Sequence, residues 1–263
     1  MNFLVSLSEA LEQESYITIL NQMGVGVELQ SYDTHCIVSR AGWEGQLLKH
    51  KKIRPFISNS LTMHGPLMGM NYHHVDHILK TAVQKRMDLT YEIACELKPN
   101  KLVFHAGYQD WFTCFKLKES WLKAVASYWC DEIKRYAALN VTIVLENVAE
   151  TDPAPLIDLV DRVGHEHFGL CLDVGHANIF SKIKLSSWVE QMGNRLKHLH
   201  LHDNHGQEDE HLPIGLGTID YEDLFSGLYR TVTDLTVALE VEAPPNVVLS
   251  NLQEVLRCYS HPC

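Results

Sequence analysis

The chain of 263 residues carries 22 Lys and Arg against 33 Asp and Glu, a formal net charge of −11 at pH 7. With 46% hydrophobic residues it can bury a large core, and the acidic balance argues against a surface that binds polyanions without specificity. The seven cysteines (Cys36, Cys95, Cys114, Cys130, Cys171, Cys258, Cys263) are scattered, odd in number and form no Cys-x-x-Cys pair, which argues for free thiols rather than a disulfide frame or a zinc ribbon.

Met1–Val5 lacks a basic leader, no apolar run reaches the roughly 18 residues of a membrane span, and Cys263 is the last residue rather than part of a prenylation box. A cytoplasmic protein with no membrane partner is expected.

Short apolar runs alternate with helical stretches along the whole chain. Phe3–Leu7 reads as a first strand, followed by a helix from about Glu9 to Gln22, and Val25–Leu29 as a second strand. Trp43 to Lys52 is helical, with Lys49, Lys51, Lys52 and Arg54 on a solvated face. Leu61–His64 is the third strand, and a helix from about His74 to Leu97 is closed by Pro99-Asn100. Leu102–His105 is the fourth strand, Trp121–Ala138 a helix, Val141–Glu146 the fifth strand and Leu156–Val163 a short helix. Phe168–Asp173 is the sixth strand, Leu196 to about His202 the seventh and Leu235–Glu240 the eighth.

Eight strands alternating with helices over this length, with nearly continuous apolar strands, imply a parallel sheet covered by helices. The expected fold is α/β, a single (β/α)8 TIM barrel occupying residues 1–263. An open doubly wound sheet is the alternative, weakened in its nucleotide-binding form because no Gly-x-Gly-x-x-Gly follows the first strand.

Six of these strands end in a metal-ligand residue type: His64, His105, Glu146, Asp173, His200 and Glu240. In a βα barrel such ends converge on one face, so side chains far apart in sequence meet in one pocket. The densest stretch is His198–Gly217, with Asp209 and His211 beyond His200. His176, three residues after Asp173, adds another imidazole. Each residue has a bland reading: His64 and His105 as turn residues, Asp173 as a helix cap with His176 on the surface, the later stretch as a solvated loop. A carboxylate closing an apolar strand, as Glu146 and Glu240 do, is costly to desolvate unless paired or metal-bound. His198 should lie below the metal layer, His202 and His205 should be supporting or solvated, and Glu242 shares the face of Glu240.

The chain resembles the superfamily of xylose-isomerase-like barrels that includes the endonuclease IV type of apurinic endonuclease (AP endonuclease family 2) and many sugar isomerases and epimerases. The resemblance rests on His64, His105, Leu-Glu-Asn around Glu146, Asp-Val-Gly-His-Ala around Asp173 and His176, His-Leu-His-Asp around His200, the Asp209-x-His211 pair before Gly-x-Gly, and Glu240. It spans about residue 60 to 242. It implies His64, His105 and Glu146 on one metal, Glu146, Asp173, His200 and Glu240 on a second, and His176, Asp209 and His211 on a third.

Divalent ions are therefore expected, zinc foremost and up to three, with manganese or iron as alternatives. A complete ligand set favours a multinuclear phosphoester hydrolase of a small or medium-sized metabolite, in which Glu146 bridges two metals. The alternative is a one-metal isomerase or epimerase of a sugar or sugar phosphate, with Glu146 and Glu240 shuttling a proton at carbon. A third reading is a catalytically silent metal-binding barrel. A small-molecule substrate is expected and nucleic acid is not, because the loops near the face are poor in cations: Ser8 to Tyr16 is acidic, His202 to Gly217 has no Lys or Arg, and only Lys116, Lys118, Lys182 and Lys184 stand on later loops. Met68, Met70, Tyr72, Tyr108, Trp111, Phe112 and Phe180 either meet an apolar part of the substrate or pack the rim.

Overall fold

The computed structural model describes residues 1–7, 11–30, 32, 40–67, 69–231 and 235–260. Eight parallel strands close a barrel in chain order: β1 (Asn2–Leu7), β2 (Gly26–Leu29), β3 (Leu61–His64), β4 (Lys101–His105), β5 (Thr142–Glu146), β6 (Phe168–Asp173), β7 (Leu196–Leu201) and β8 (Thr236–Leu239). β8 pairs with β1, so no strand edge of the barrel is left open. The helices are α1 (Glu14–Gln22), α2 (Arg40–Ile53), α3 (His77–Leu97), α4 (Trp111–Cys114), α5 (Lys118–Ala138), α6 (Ala154–Val163), α7 (Val174–Phe180), α8 (Leu185–Met192), α9 (Tyr221–Thr231) and α10 (Pro245–Ser260). Among the described residues, no helix is long and apolar enough to cross a membrane.

Strand parity sorts the core into two unlike halves. Outward positions such as Met63, Leu102, Phe104, Ile143, Leu145, Leu170, Leu172, Leu199 and Leu201 are buried with the helices in one continuous apolar cluster. Inward positions carry Ser6, Glu28, Thr62, His64, Glu146, Asp173, His198, His200 and Thr236, and all are buried. Val103, Val144 and Cys171 form a small separate apolar cluster among them. Both faces of the strands are buried, as the apolar runs imply, but the inner face is largely polar. A polar lumen is stable only if its groups satisfy one another, since an unpaired buried polar group costs on the order of 1–3 kcal/mol.

Local signals fix several boundaries differently from the sequence reading. α3 starts at His77 rather than His74 because the Asp76 carboxylate accepts the N–H groups of Ile78 (2.7 Å) and Leu79 (3.4 Å). α1 starts at Glu14; residues 8–10, in the predicted helix start, lie outside the described residues. Arg54 is not part of a solvated face: it donates to the carbonyls of Leu97 (2.7 Å) and Ile57 (3.1 Å), closing the turn after α2 against the end of α3.

Candidate metal centre

The C-terminal ends of β3 to β8 bring all nine predicted residues to one face. Glu146 is the hub. Its Oε2 lies 3.0 Å from His64 Nε2 and 3.3 Å from His105 Nε2, and its Oε1 lies 3.0 Å from His200 Nδ1. His200 Nδ1 is also 3.2 Å from Glu240 Oε2 and 3.7 Å from Asp173 Oδ2. Asp209 Oδ2 stands between His176 Nε2 (3.2 Å) and His211 Nε2 (3.1 Å).

Donor atoms of Glu146, Asp173, His200 and Glu240 all lie within 4.8 Å of one another, as do those of His64, His105 and Glu146. A third group of this kind is His202, His211 and Glu240 rather than the expected His176, Asp209 and His211, whose two imidazoles meet only through Asp209. The pocket of about 350 Å³ above them is lined also by Ser6, Gln30, Leu67 and Glu242.

Backbone carbonyls aim three of the imidazoles. Nδ1 of His64, His176 and His211 lies 2.8 Å from the carbonyl of Gly65, Asn147 and Glu240 respectively. A carbonyl only accepts, so each Nδ1 carries a proton and each Nε2 is the nitrogen turned toward the centre, where it meets a carboxylate and could serve as a ligand atom once its proton is displaced. The Gly65 carbonyl can serve because residue 65 has no side chain: a Cβ there would fall 2.3 Å from the Phe104 ring. Asn147 locks β5 to β6 by exchanging hydrogen bonds with the Asp173 backbone at 3.0 and 2.8 Å.

Asp173 is a helix cap and also faces the centre. Oδ1 caps α7 by accepting the His176 N–H at 2.7 Å, while Oδ2 lies 3.3 Å from His202 Nε2. His176 is not a surface histidine, since its side chain is 13% exposed. His198 lies beneath the centre, as expected, and is fully buried. His202 is buried too, stacked on His211 with centroids 4.0 Å apart, so the solvated reading fails for it. His205 is half exposed and pairs with Glu210. Glu240 is buried while Glu242 is exposed at the pocket mouth, which leaves Glu240 as the inward carboxylate.

Sequence reasoning passed over Glu28 and Gln30. Glu28 is fully buried, with His198 Nε2, His200 Nε2 and Thr62 Oγ1 at 2.9, 2.9 and 2.6 Å. Gln30 Nε2 donates to Glu240 Oε1 and Glu28 Oε1. The signal for Glu28 was present: a carboxylate inside Val-Gly-Val-Glu-Leu faces the same desolvation cost as Glu146.

Burial alone would raise the pKa of Glu146, but His200, His105 and His64 outweigh it and hold the carboxyl well below the usual range. For Asp173, burial is likewise outweighed by His176, His202 and His200. Glu240 goes the other way: burial raises it, Glu146 and Glu28 reinforce the rise, and His200 and His211 only partly oppose it. Burial would lower His211, yet Asp209 and Glu240 push it up to about 10.

Buried carboxylates thus share one lumen with imidazoles as their partners, and no Lys or Arg among the described residues lines the pocket. Three carboxylates and one imidazole converging on a point are a donor set for a divalent ion, which would replace the imidazole protons as the balancing charge.

Of the aromatic and Met residues, Tyr72 packs on Tyr128 and Trp129, and Tyr108 and Phe112 pack on Trp121. Tyr108, Phe112 and Met70 also line a second cleft of about 470 Å³ that shares Leu67 and His105 with the first. Phe180 is exposed, and Met68 and the Trp111 side chain lie outside the described residues. Among the later-loop lysines, Lys118 is held by Asp158 at 2.8 Å.

A family model described as xylose isomerase-like TIM barrel (AP endonuclease 2) matches residues 45–258. Among solved structures, the chain is similar to the TTHB071 protein from Thermus thermophilus soaked with ZnCl2, at 24% identity and TM-score 0.75, over 97% of this chain and 98% of that one. It is similar to a D-tagatose 3-epimerase-like protein at 21% identity and TM-score 0.75, over 99% and 97%. A D-allulose 3-epimerase from Methylomonas sp., in complex with D-allulose, matches at 12% identity and TM-score 0.75, over 98% and 96%.

Proposed function

The chain belongs to the xylose isomerase-like TIM barrel family, and from that premise we propose that it is a divalent-metal-dependent isomerase or epimerase of a sugar or sugar phosphate. The observation that carries this reading is the convergence of Glu146, Asp173, His200 and Glu240 within 4.8 Å at the C-terminal face of the barrel. An ion held there would polarise a carbonyl and the neighbouring hydroxyl of the substrate.

The chain's own part is to move a proton at carbon. Glu146 and Glu240 flank His200 Nδ1 and both line the pocket. Two carboxylates facing one pocket allow one to take a proton from carbon and the other to return it. Glu146 would take the proton from the carbon beside the carbonyl and Glu240 would return one. Gln30 and Ser6 stand in the pocket wall, and the buried Ser6 hydroxyl has no partner among the described residues, leaving it free for a sugar hydroxyl. Two of the similar structures are named as epimerase or epimerase-like, which favours this chemistry over the hydrolysis that the full ligand set suggests from sequence.

Phosphoester hydrolysis is the second reading, favoured by one observation: Asp209 joins His176 and His211 beside the main group, which would suit additional ions. The two readings separate in heavy water. Ion-loaded protein incubated in D2O with a panel of ketoses and their phosphates is expected to place deuterium on the carbon beside the carbonyl. The rate should fall about 10²- to 10⁴-fold in Glu240→Gln, the usual worth of a general acid or base. Phosphoester cleavage without any exchange would overturn the proposal.

A further inference from the structure

His200 is turned opposite to the other aimed imidazoles. His64, His176 and His211 point Nε2 at the centre and anchor Nδ1 on a carbonyl, whereas His200 points Nδ1 at Glu146 and Glu240. Nε2 of His200 faces down the lumen, where Glu28 Oε1 lies 2.9 Å away, off the N–H axis. Among the described residues no carbonyl or other hydrogen-bond acceptor meets that nitrogen in line.

Glu28 is itself held from below. Its Oε2 accepts from Thr62 Oγ1 at 2.6 Å and from His198 Nε2 at 2.9 Å. His198 Nδ1 lies 2.6 Å from Thr236 Oγ1, and Lys101 Nζ donates to that hydroxyl at 2.7 Å and to the Lys197 carbonyl at 2.6 Å. With the proton of His198 on Nε2, every donor in this string points one way, from Lys101 through Thr236 and His198 to Glu28. The carboxylate is thereby fixed in position. A buried carboxylate is costly unless it is held in this way, and a lumen that needed only packing would be served better by an apolar side chain.

We propose that Glu28 is the positioning residue of the metal centre: its charge, 2.9 Å from His200 Nε2, favours the proton on that nitrogen, so that Nδ1 is left as the ligand atom. It touches neither substrate nor ion and acts through His200, as outer carboxylates do for ligating imidazoles. The proposal rests on the metal reading of the site. The Lys101–Thr236–His198 string serves it by keeping the carboxylate from turning toward the centre, where it would compete for the ion.

The test is a cobalt titration of substrate-free protein against a chromogenic chelator, following the visible Co2+ bands, for wild type, Glu28→Gln, His200→Gln and the double variant. Glu28→Gln should bind about 10- to 100-fold more weakly. In the His200→Gln background it should cost nothing further, because the residue through which it acts is gone. Equal affinity in Glu28→Gln and wild type overturns the proposal, and so does an undiminished loss in the double variant, which would mark a merely structural role. If Glu28→Gln does not fold, 15N NMR of zinc-loaded wild type reads the tautomer directly: a proton on His200 Nε2 with the ion on Nδ1 is expected, and the reverse arrangement overturns the proposal. Wild type that takes up no cobalt would remove the metal reading itself, an outcome distinct from a wild type that binds and a Glu28→Gln that binds equally well.

Discussion

Glu150 shows what a single buried acid does outside the centre. It follows β5, is 2% exposed, and its Oε2 accepts the Val148 N–H at 2.6 Å. Burial pushes its pKa up to about 7 despite that bond, so between pH 4.5 and 7 the folded chain keeps a proton that the unfolded chain has lost. Stability is therefore fully present below about pH 4.5 and falls as pH rises through 7, by roughly 3 kcal/mol on the linkage relation. Glu150→Gln, which cannot ionise, should raise Tm clearly at pH 8 and little at pH 5; equal shifts at both pH values would refute this. At this scale the residues that meet at the face were legible, because Glu146, Asp173 and His200 close apolar strands where a charge demands an explanation. Glu28 gave the same signal inside its strand, but its role was not legible, since the partner that explains it, His198, stands 170 residues away in the chain. The burial of His202 was not legible either, because the stacking of His211 on it depends on the return of the 203–212 loop, closed by the Asp203–Leu212 bridge.

Elements hold the face together through their ends. The first turn of α8 has no cap from its own Lys184, and α9 supplies one: the Asp223 carboxylate accepts Ser186 N–H at 2.9 Å and Ser186 Oγ at 2.8 Å. The helices approach closely there, since a Cβ on Gly227 would lie 3.0 Å from Ser186 Cα. Asp223→Ala should cost about 1 kcal/mol in urea unfolding, the usual worth of a cap, with Asp223→Asn recovering part of it. An unchanged midpoint in Asp223→Ala would refute the cap. The strands were readable within a residue or two because parity and length mark them, as at Phe168–Asp173. The helices after β6 were not individually readable. Residues 181–184 split the stretch into α7 and α8, each too short for a 3.6-residue period to stand out.

Taken whole, the molecule is a barrel whose outside is an ordinary apolar core and whose inside is a polar relay capped by acids and imidazoles. The closed parallel topology was legible from eight apolar runs. The polar lumen was not, because parity alone does not say which face turns inward. That reversal gives the site its character: most of its carboxylates and imidazoles are held by strands, which are rigid supports for a ligand set. It also places the four-residue group of Glu146, Asp173, His200 and Glu240 deepest, with Asp209 and His211 nearer the mouth, where Asp209 is 38% exposed. Depth should translate into tightness of binding. Elemental analysis of metal-loaded, gel-filtered protein is the most direct test, done on wild type, Asp173→Asn and His211→Ala. One tightly held divalent ion per chain is expected, lost in Asp173→Asn and retained in His211→Ala. Two or three ions that fall together when His211 is removed, or no ion in wild type, would contradict it.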